Sequence, residues 1–436
     1  MPTFRIYCTR YCLLLLLSMI SFQGTTGQDT SFVRKIICTL SSRKYKGRGY
    51  VDGADKKAAS LIEREFRLDG LESFNGSYLQ PFFIKVNTFP GRMSVKVNGK
   101  RLKPGADFLV DPSCPSAKGK YQVLSIGSNE LADRQSIEKK LLLKRGQVLW
   151  VDDRQDSLFL KEERQSIKLL AELLHELPEV ACAGVVIYRP GKLTWSVSGD
   201  VMSIPVCYVS SRFQAGPVKT VQLAIQNELL PNDETQNMAG FIKGNQTPDS
   251  VIMIVAHYDH LGMMGRRTFF PGANDNASGT AMLLDLARHY TKDENRLPCT
   301  LVFLSVAGEE AGLLGSQYFV AHPLFDLGRI KFLLNIDLAG NGSEGITVVN
   351  GSVFRDKFNL LAKINSAHAY LSQVKSRGEA CNSDHCPFYR AGVPCFFLYT
   401  MGGAPYYHDI YDRCGVLTLK SYPAYFRLVS GFIDAL

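Results

Sequence analysis

The sequence predicts an α/β protein: a mostly parallel central sheet with helices on both faces, plus an inserted smaller α+β or β domain. Three observations carry that expectation. From residue 218 onward, continuous apolar runs recur: VIMIVA (251–256), TLVFLSVA (300–307), KFLLNI (331–336), ITVV (346–349) and PCFFLY (394–399). Between them stand segments with apolar residues at helical spacing: SGTAMLLDLARHY (278–290), EAGLLGSQYFVA (310–321) and DKFNLLAKINSAHAYL (356–371), with a last helix near the C-terminus. Strands that are apolar at every position are buried on both faces, as in a parallel sheet layered between helices. Third, residues 96–215 break this pattern with polar turns and short β-like runs, which marks a separate folding unit.

The elements follow in chain order. Arg5 and Arg10 precede the apolar stretch CLLLLLSMISF (12–22) and the small, polar QGTTGQ (23–28). A stretch of that length is too short to span a bilayer and has the layout of an export signal, so 1–28 is expected to be cleaved near residue 28. No later stretch approaches 18 continuous apolar residues, so the mature chain is expected to be soluble, with no stable membrane span. Residues 29–95 are expected to begin the main domain. Within them AASLIEREFRLDGL (58–71) has helical periodicity, and Gly70 suits the stop. Residues 96–215 form the expected insertion, with strands around YQVLSI (121–126), QVLWV (147–151), GVVIY (184–188) and SIPVCYV (203–209) and one long helix at about 157–177. Residues 216–436 complete the main domain.

Composition excludes some functions. Hydrophobic residues are 45% and charged residues 21%, as in ordinary globular chains. The net charge of +9 is scattered, with no Lys/Arg run beside an aromatic platform, so a nucleic-acid partner is not expected. Eleven cysteines include Cys8 and Cys12 in the export signal. The remaining nine are dispersed without a CxxC pattern, and their odd number leaves at least one unpaired. Cys381 and Cys386 are close enough to bridge across a loop.

Chemistry collects just past the strand ends, where open α/β sheets bind ligands. After VIMIVA come His257, Asp259 and His260. The loop GANDNASG carries Asn274, Asp275 and Asn276. After TLVFLSVA come Glu309 and Glu310, after KFLLNI comes Asp337, and YYHDIYD supplies His408, Asp409 and Asp412. Any one of these is an ordinary loop or capping residue. Together they place carboxylates and imidazoles at one edge with no Lys or Arg beside them in sequence, and such a cluster needs a bound cation. Oxygen with imidazole donors suits zinc or a neighbouring transition metal. His257, Asp275, Glu310, Asp337 and His408 give three donors to each of two metals if Asp275 bridges.

The ordered segments AHYDHLG, PGANDNASGTA, VAGEEAGLLGS, NIDLAG, SDHCPF and YHDIYD resemble the zinc exopeptidase family of bacterial leucyl aminopeptidase, aminopeptidase Y and glutamate carboxypeptidase. The resemblance covers residues 240–415 closely and 35–70 loosely. It implies two zinc ions, one held by His257, Asp275 and Asp337, the other by Asp275, Glu310 and His408. It implies Glu309 as the general base, Asp259 as the carboxylate orienting His257, and a cis peptide bond after Asp275. AGVVIYRPG followed by SIPVCYVSS resembles the end of a protease-associated domain. The expected activity is therefore an exported aminopeptidase acting on peptides. Rival expectations are a glutaminyl cyclase on the same fold, a carboxypeptidase or dipeptidase, and a non-catalytic binding module. Met263, Met264, Met401, Tyr406 and Tyr407 flank the motif loops and are candidates for an apolar side-chain pocket.

Overall fold

The computed structural model describes residues 30–127, 134–143, 146–152, 169–170, 172–173, 176, 181–189, 191–210, 212–213 and 216–436. The export signal expected at 1–28 and most of the helix expected at 157–177 lie outside the described residues.

The apolar runs form the middle of a nine-stranded sheet. Strands Cys299–Val306, Thr247–His257, Ile330–Asp337 and Cys395–Thr400 lie side by side and parallel. Their residues are buried almost throughout, which explains why these runs show no polar alternation. Antiparallel strands complete both sides. Glu228–Ile242 pairs with the 299–306 strand and with Leu79–Thr88, and Ile346–Val349 pairs with the 395–400 strand. Helices Thr30–Leu40, Ala54–Leu68, Gly279–Tyr290 and Tyr422–Asp434 bury one side of the sheet. Leu314–Ala321 and His385–Arg390 cover the other through Phe319 and Phe388. The first helix shows the logic: Val33, Ile36, Ile37 and Leu40 fall on one face and are buried. A disulfide from Cys38 to Cys414 ties that helix to the loop before the last one, and Cys381 bonds Cys386. The first of these pairs was not legible, since 376 residues separate its members.

Two helices differ from expectation at their starts. The helix expected at 58–71 begins at Ala54 and ends at Leu68, with Gly70 at φ 75° just beyond. The helix expected at 310–321 begins only at Leu314. Before it, the N–H groups of Gly312 and Leu313 both donate to Glu309 O, and Leu313 is left-handed at φ 63°. That turn points the two glutamates inward rather than along a helix surface.

Asp55, in the first turn of the 54–68 helix, is 1% exposed and accepts the Thr235 hydroxyl at 2.8 Å. Burial pushes its carboxyl from 3.8 up to about 6, against the pull of the Thr235 and Lys56 hydrogen bonds. The folded chain therefore holds this proton where the unfolded chain has released it. The corresponding stability is complete below about pH 4 and is lost as pH rises to about 6. Asp55→Asn removes the charge and keeps an acceptor for Thr235. It is expected to match the native protein at pH 4 and to exceed it by about 3 kcal/mol at pH 7.5. Thermal unfolding at the two pH values checks this.

The second sheet has eight strands, ordered 100–101, 93–97, 220–225, 117–127, 148–152, 184–189, 206–210 and 108–110. The strands 117–127, 148–152, 184–189 and 206–210 are parallel neighbours. Met93–Val97 and Thr220–Ile225 lie wholly or partly outside 96–215, because they pair with each other and close one side of this sheet. The core of this unit is shared with the main domain. Phe89, Trp195, Leu261, Met264 and Phe270 pack in one cluster, with the Trp195 and Phe270 rings stacked 4.6 Å apart.

Candidate metal centre

The parallel strands bring their C-terminal ends to one edge, and every expected ligand meets there. His257 is the last residue of its strand, and Asp337 ends the neighbouring one. Glu309 and Glu310 follow the strand between Cys299 and Val306, after the left-handed Gly308. Asp275 arrives on the loop before the 279–290 helix, and its peptide bond to Asn276 is cis. His408 arrives on the loop after the 395–400 strand.

The distances sort these residues into two groups. His257 Nε2 lies 3.4 Å from Asp275 Oδ1, 3.9 Å from Asp337 Oδ1 and 4.0 Å from Glu309 Oε2. His408 Nε2 lies 3.1 Å from Asp275 Oδ2 and 3.2 Å from Glu310 Oε2. Asp275 therefore turns one oxygen to each histidine. One further group was seen only as a sequence neighbour. His260 is fully buried and its Nδ1 lies 2.7 Å from Glu310 Oε1, which leaves Oε2 to face His408.

The supporting contacts show how these orientations are fixed. His408 Nδ1 lies 2.7 Å from the Trp195 carbonyl. A carbonyl only accepts, so Nδ1 carries a proton and Nε2 is the nitrogen turned to the two carboxylates. Asp337 accepts the Asn276 side-chain amide at 2.6 Å on one oxygen and the Ser383 hydroxyl at 2.6 Å on the other. Asp412 accepts the N–H groups of Asn274 and Asp275 and so braces the loop under the shared carboxylate. Arg48 is wholly buried and donates to the carbonyls of Leu40, Tyr258, Pro271, Gly272 and Asp275.

Asp259 departs from expectation. Its carboxylate stands 3.7 Å from His257 Nδ1, whereas its own carbonyl is nearer at 3.2 Å. The carboxylate instead accepts the Tyr50 hydroxyl at 3.1 Å and the Glu309 N–H at 3.2 Å. It thus holds the backbone of Glu309 as much as the ring of His257. Asp384 is buried against Ser316, and its neighbour Ser383 is the residue that touches Asp337.

The electrostatics ask for a cation. Asp259, Asp275, Glu309, Glu310, Asp337 and Asp384 share the site with three histidines, while the Arg48 donors are directed at carbonyls. Burial pushes Glu309 well above the usual carboxylate range, and Glu310 adds to this while His257 opposes it. Burial raises Asp337 to about 6. Burial works against a charged His408, yet Glu310 and Asp275 push it up to about 11. At that value His408 keeps a proton on Nε2 between the two carboxylates at neutral pH, and a bound cation would take that proton's place and leave Nε2 as a ligand. The oxygen and imidazole donor set fits zinc, with Asp275 as the shared ligand.

Beside these groups lies a cavity of about 200 Å³, walled by His257, Asp275, Glu309 and Asp337 and by Leu338, Asn382, Phe397, Tyr399 and Tyr407. Of the five flanking residues expected to form an apolar pocket, Tyr407 lines it. Met263 and Met264 are instead buried, Met264 in the core of the second sheet.

Residues 237–433 match the profile of peptidase family M28. That segment belongs to peptidase family M28. It contains all seven expected site residues, so family membership and site geometry fall on the same stretch. Aminopeptidase YwaD of Bacillus subtilis is 24% identical over 78% of this chain and 69% of its own length. A probable zinc metalloprotease of Pyricularia oryzae is 37% identical over 25% of this chain and 22% of its own. The chain thus spans well under two thirds of the second relative. Among solved structures, the M28-like fold recurs in BSAP, a zinc aminopeptidase from Bacillus subtilis, with a TM-score of 0.67 at 20% identity, covering 94% of this chain and 95% of that one. The second sheet is included in that coverage.

Proposed function

We propose that the chain is an exported metallo-exopeptidase with two zinc ions that removes N-terminal residues from peptides. The observation that carries the reading is Asp275, which offers one oxygen to the His257–Asp337 group and the other to the His408–Glu310 group. His257, Asp275 and Asp337 would hold one ion, and Asp275, Glu310 and His408 the other. Zinc bound there supplies Lewis acidity, which makes water a nucleophile at neutral pH and polarises a peptide carbonyl. Glu309 stands beside the His257 group and carries no hydrogen bond that would occupy its carboxylate among the described contacts. It takes the proton of the attacking water and passes it to the leaving amine. Asp259 holds the Glu309 N–H, and Ser383 and Asn276 hold Asp337 in place.

The cavity favours an amino terminus as the recognised end. Its titratable walls are Asp275, Glu309, Asp337, His257 and the tyrosines, with no Lys or Arg among the described lining residues. With Asp275 and Asp337 engaged by metal, Glu309 and the tyrosine hydroxyls remain to receive a free ammonium, and no described Lys or Arg lines the cavity to pair with a free carboxylate. The names of the relatives, an aminopeptidase and a zinc metalloprotease, support the same reading.

Metal analysis combined with peptide hydrolysis tests it. The purified chain is expected to hold two zinc ions, to lose activity with chelator, and to regain it with zinc. It is expected to release the first residue of C-terminally amidated peptides and to leave N-acetylated ones intact. Release of the last residue from N-acetylated peptides, or conversion of Gln-initiated peptides to pyroglutamate without hydrolysis, would overturn it. Export is tested separately by sequencing the mature N-terminus, expected near residue 29.

A further inference from the structure

One concavity well away from the metal centre is basic. It is a groove of about 800 Å³ between the outer face of the second sheet and the hairpin at 263–269. Arg92, Lys96, Arg101, Arg266 and Arg267 line it, and none of the described lining residues is a carboxylate. No ion pair among the described residues involves any of the five. Their arrangement is unfavourable without a counter-charge. Lys96 and Arg101 are directly opposite on paired antiparallel strands, where like charges repel, and Arg266 and Arg267 are consecutive at the hairpin tip. Gln222 is the partner of Lys96 on its other side, so one row across the sheet presents Arg101, Lys96 and Gln222 to the groove.

The hairpin wall is held in place. Gly265 N–H donates to the Phe89 carbonyl at 2.8 Å, and Met264 packs in the core of the second sheet. The cations therefore project from two braced surfaces into one cleft, rather than scattering over a convex face.

We propose that this groove is a second binding site, for an acidic polypeptide segment. Guanidinium groups match carboxylates bidentately, and a cleft focuses the field of several like charges onto a ligand. Two lining features favour a peptide over another polyanion. Met93, Pro104 and Ala224 are half-buried and give apolar surface that side chains can cover, and the exposed Gln222 amide can pair with a peptide backbone. The site is separate from the metal centre and does not rest on the proposed peptidase chemistry.

Binding of a fluorescent octapeptide of alternating Asp and Glu, acetylated and amidated so that neither end is free, tests the proposal on the full chain. Its Asn/Gln counterpart is the neutral probe. The acidic peptide is expected to bind, weakening as salt rises, and the neutral one is expected to bind at least tenfold less tightly. Arg266→Glu with Arg267→Glu on one wall, and Lys96→Glu with Arg101→Glu on the other, are each expected to weaken acidic-peptide binding at least tenfold. Lys363→Glu with Lys420→Glu makes the same charge change at exposed positions elsewhere and is expected to stay within twofold of the native protein. Unchanged melting temperature shows that a variant is folded, and the second wall decides if the first pair fails to fold. Equal loss in the Lys363/Lys420 control would reduce the effect to net charge and overturn the proposal. Equal binding of the neutral peptide would overturn it as well. So would a heparin-derived oligosaccharide that binds tenfold more tightly than the peptide with the same dependence on both walls, since the groove would then be a sulfated-glycan site.

Discussion

Replacing Glu309 with Gln is expected to leave the zinc content at two per chain while lowering turnover by about 10³-fold. The expectation comes from the different surroundings of the two adjacent glutamates. Glu310 has one oxygen on His260 and the other facing His408 and Asp275, which is the setting of a ligand. Glu309 touches the His257 group only at 4.0 Å, and its backbone rather than its carboxylate is tied down by Asp259. A carboxylate in that position can exchange a proton without releasing a metal. Burial and Glu310 both raise its affinity for a proton, and bound dications would lower it again toward the range of a working base. The amide of Gln keeps the shape and the backbone hydrogen bond and removes the basic oxygen. Hydrolysis of an aminoacyl substrate and metal analysis on the same preparation decide the matter. Near-normal turnover with both ions retained would assign the base elsewhere, and Asp384, buried nearby and pushed to about 7 chiefly by burial, would be the next candidate.

Much of the main sheet was legible because its central strands are short, nearly continuous apolar runs without polar alternation, the pattern of strands covered on both faces. The strands at its side were not. Leu79–Thr88 alternates regularly but puts Gln80 on the buried side and Phe83 on the exposed side, and the Gln80 carbonyl oxygen accepts from Asn237 while its amide donates to the His322 carbonyl. Glu228–Ile242 carries Pro231, Asn232 and Asp233 after its first three residues and shifts register between Leu230 and Asp233, so its first half has the composition of a loop. At the site, the residues expected as ligands were legible because each stands just beyond a strand end. Arg48, Trp195 and His260 were not assigned roles. Arg48 and Trp195 act on partners more than 200 residues away, at the loop carbonyls and at His408, and a contact made to or from a backbone carbonyl leaves no residue pair to notice. His260 sits within the recognised motif, but its partner Glu310 is 50 residues on. The basic groove was invisible for the same reason, since its cations come from three separate segments that look merely scattered along the chain.

Replacing Asp275 with Ala is expected to remove both zinc ions and reduce hydrolysis below detection, whereas replacing Glu310 with Ala is expected to remove one. Asp275 is the residue whose two oxygens face different histidines, at 3.4 Å and 3.1 Å, so its loss takes one donor from each group of three. Glu310 serves only the His408 group, and its loss leaves His257, Asp275 and Asp337 intact. Metal counted after dialysis separates the outcomes. A second readout is the melting temperature with and without added zinc, because an ion that binds only the folded chain raises it. The native protein is expected to show the full rise, Glu310→Ala part of it, and Asp275→Ala none. Loss of the fold is not the expected cause of that last result. The Asp275 loop is held through its backbone, by Arg48 at the carbonyls of Pro271, Gly272 and Asp275 and by Asp412 at the N–H groups of Asn274 and Asp275. None of those bonds uses the Asp275 side chain. Burial opposes the Asp275 charge, yet His257 and His408 hold its carboxyl well below the usual range, so the metal-free variant is expected to melt somewhat below the metal-free native chain while still unfolding in one cooperative transition. Two ions retained by Asp275→Ala would show that the groups do not share it, and the two-zinc arrangement would have to be abandoned.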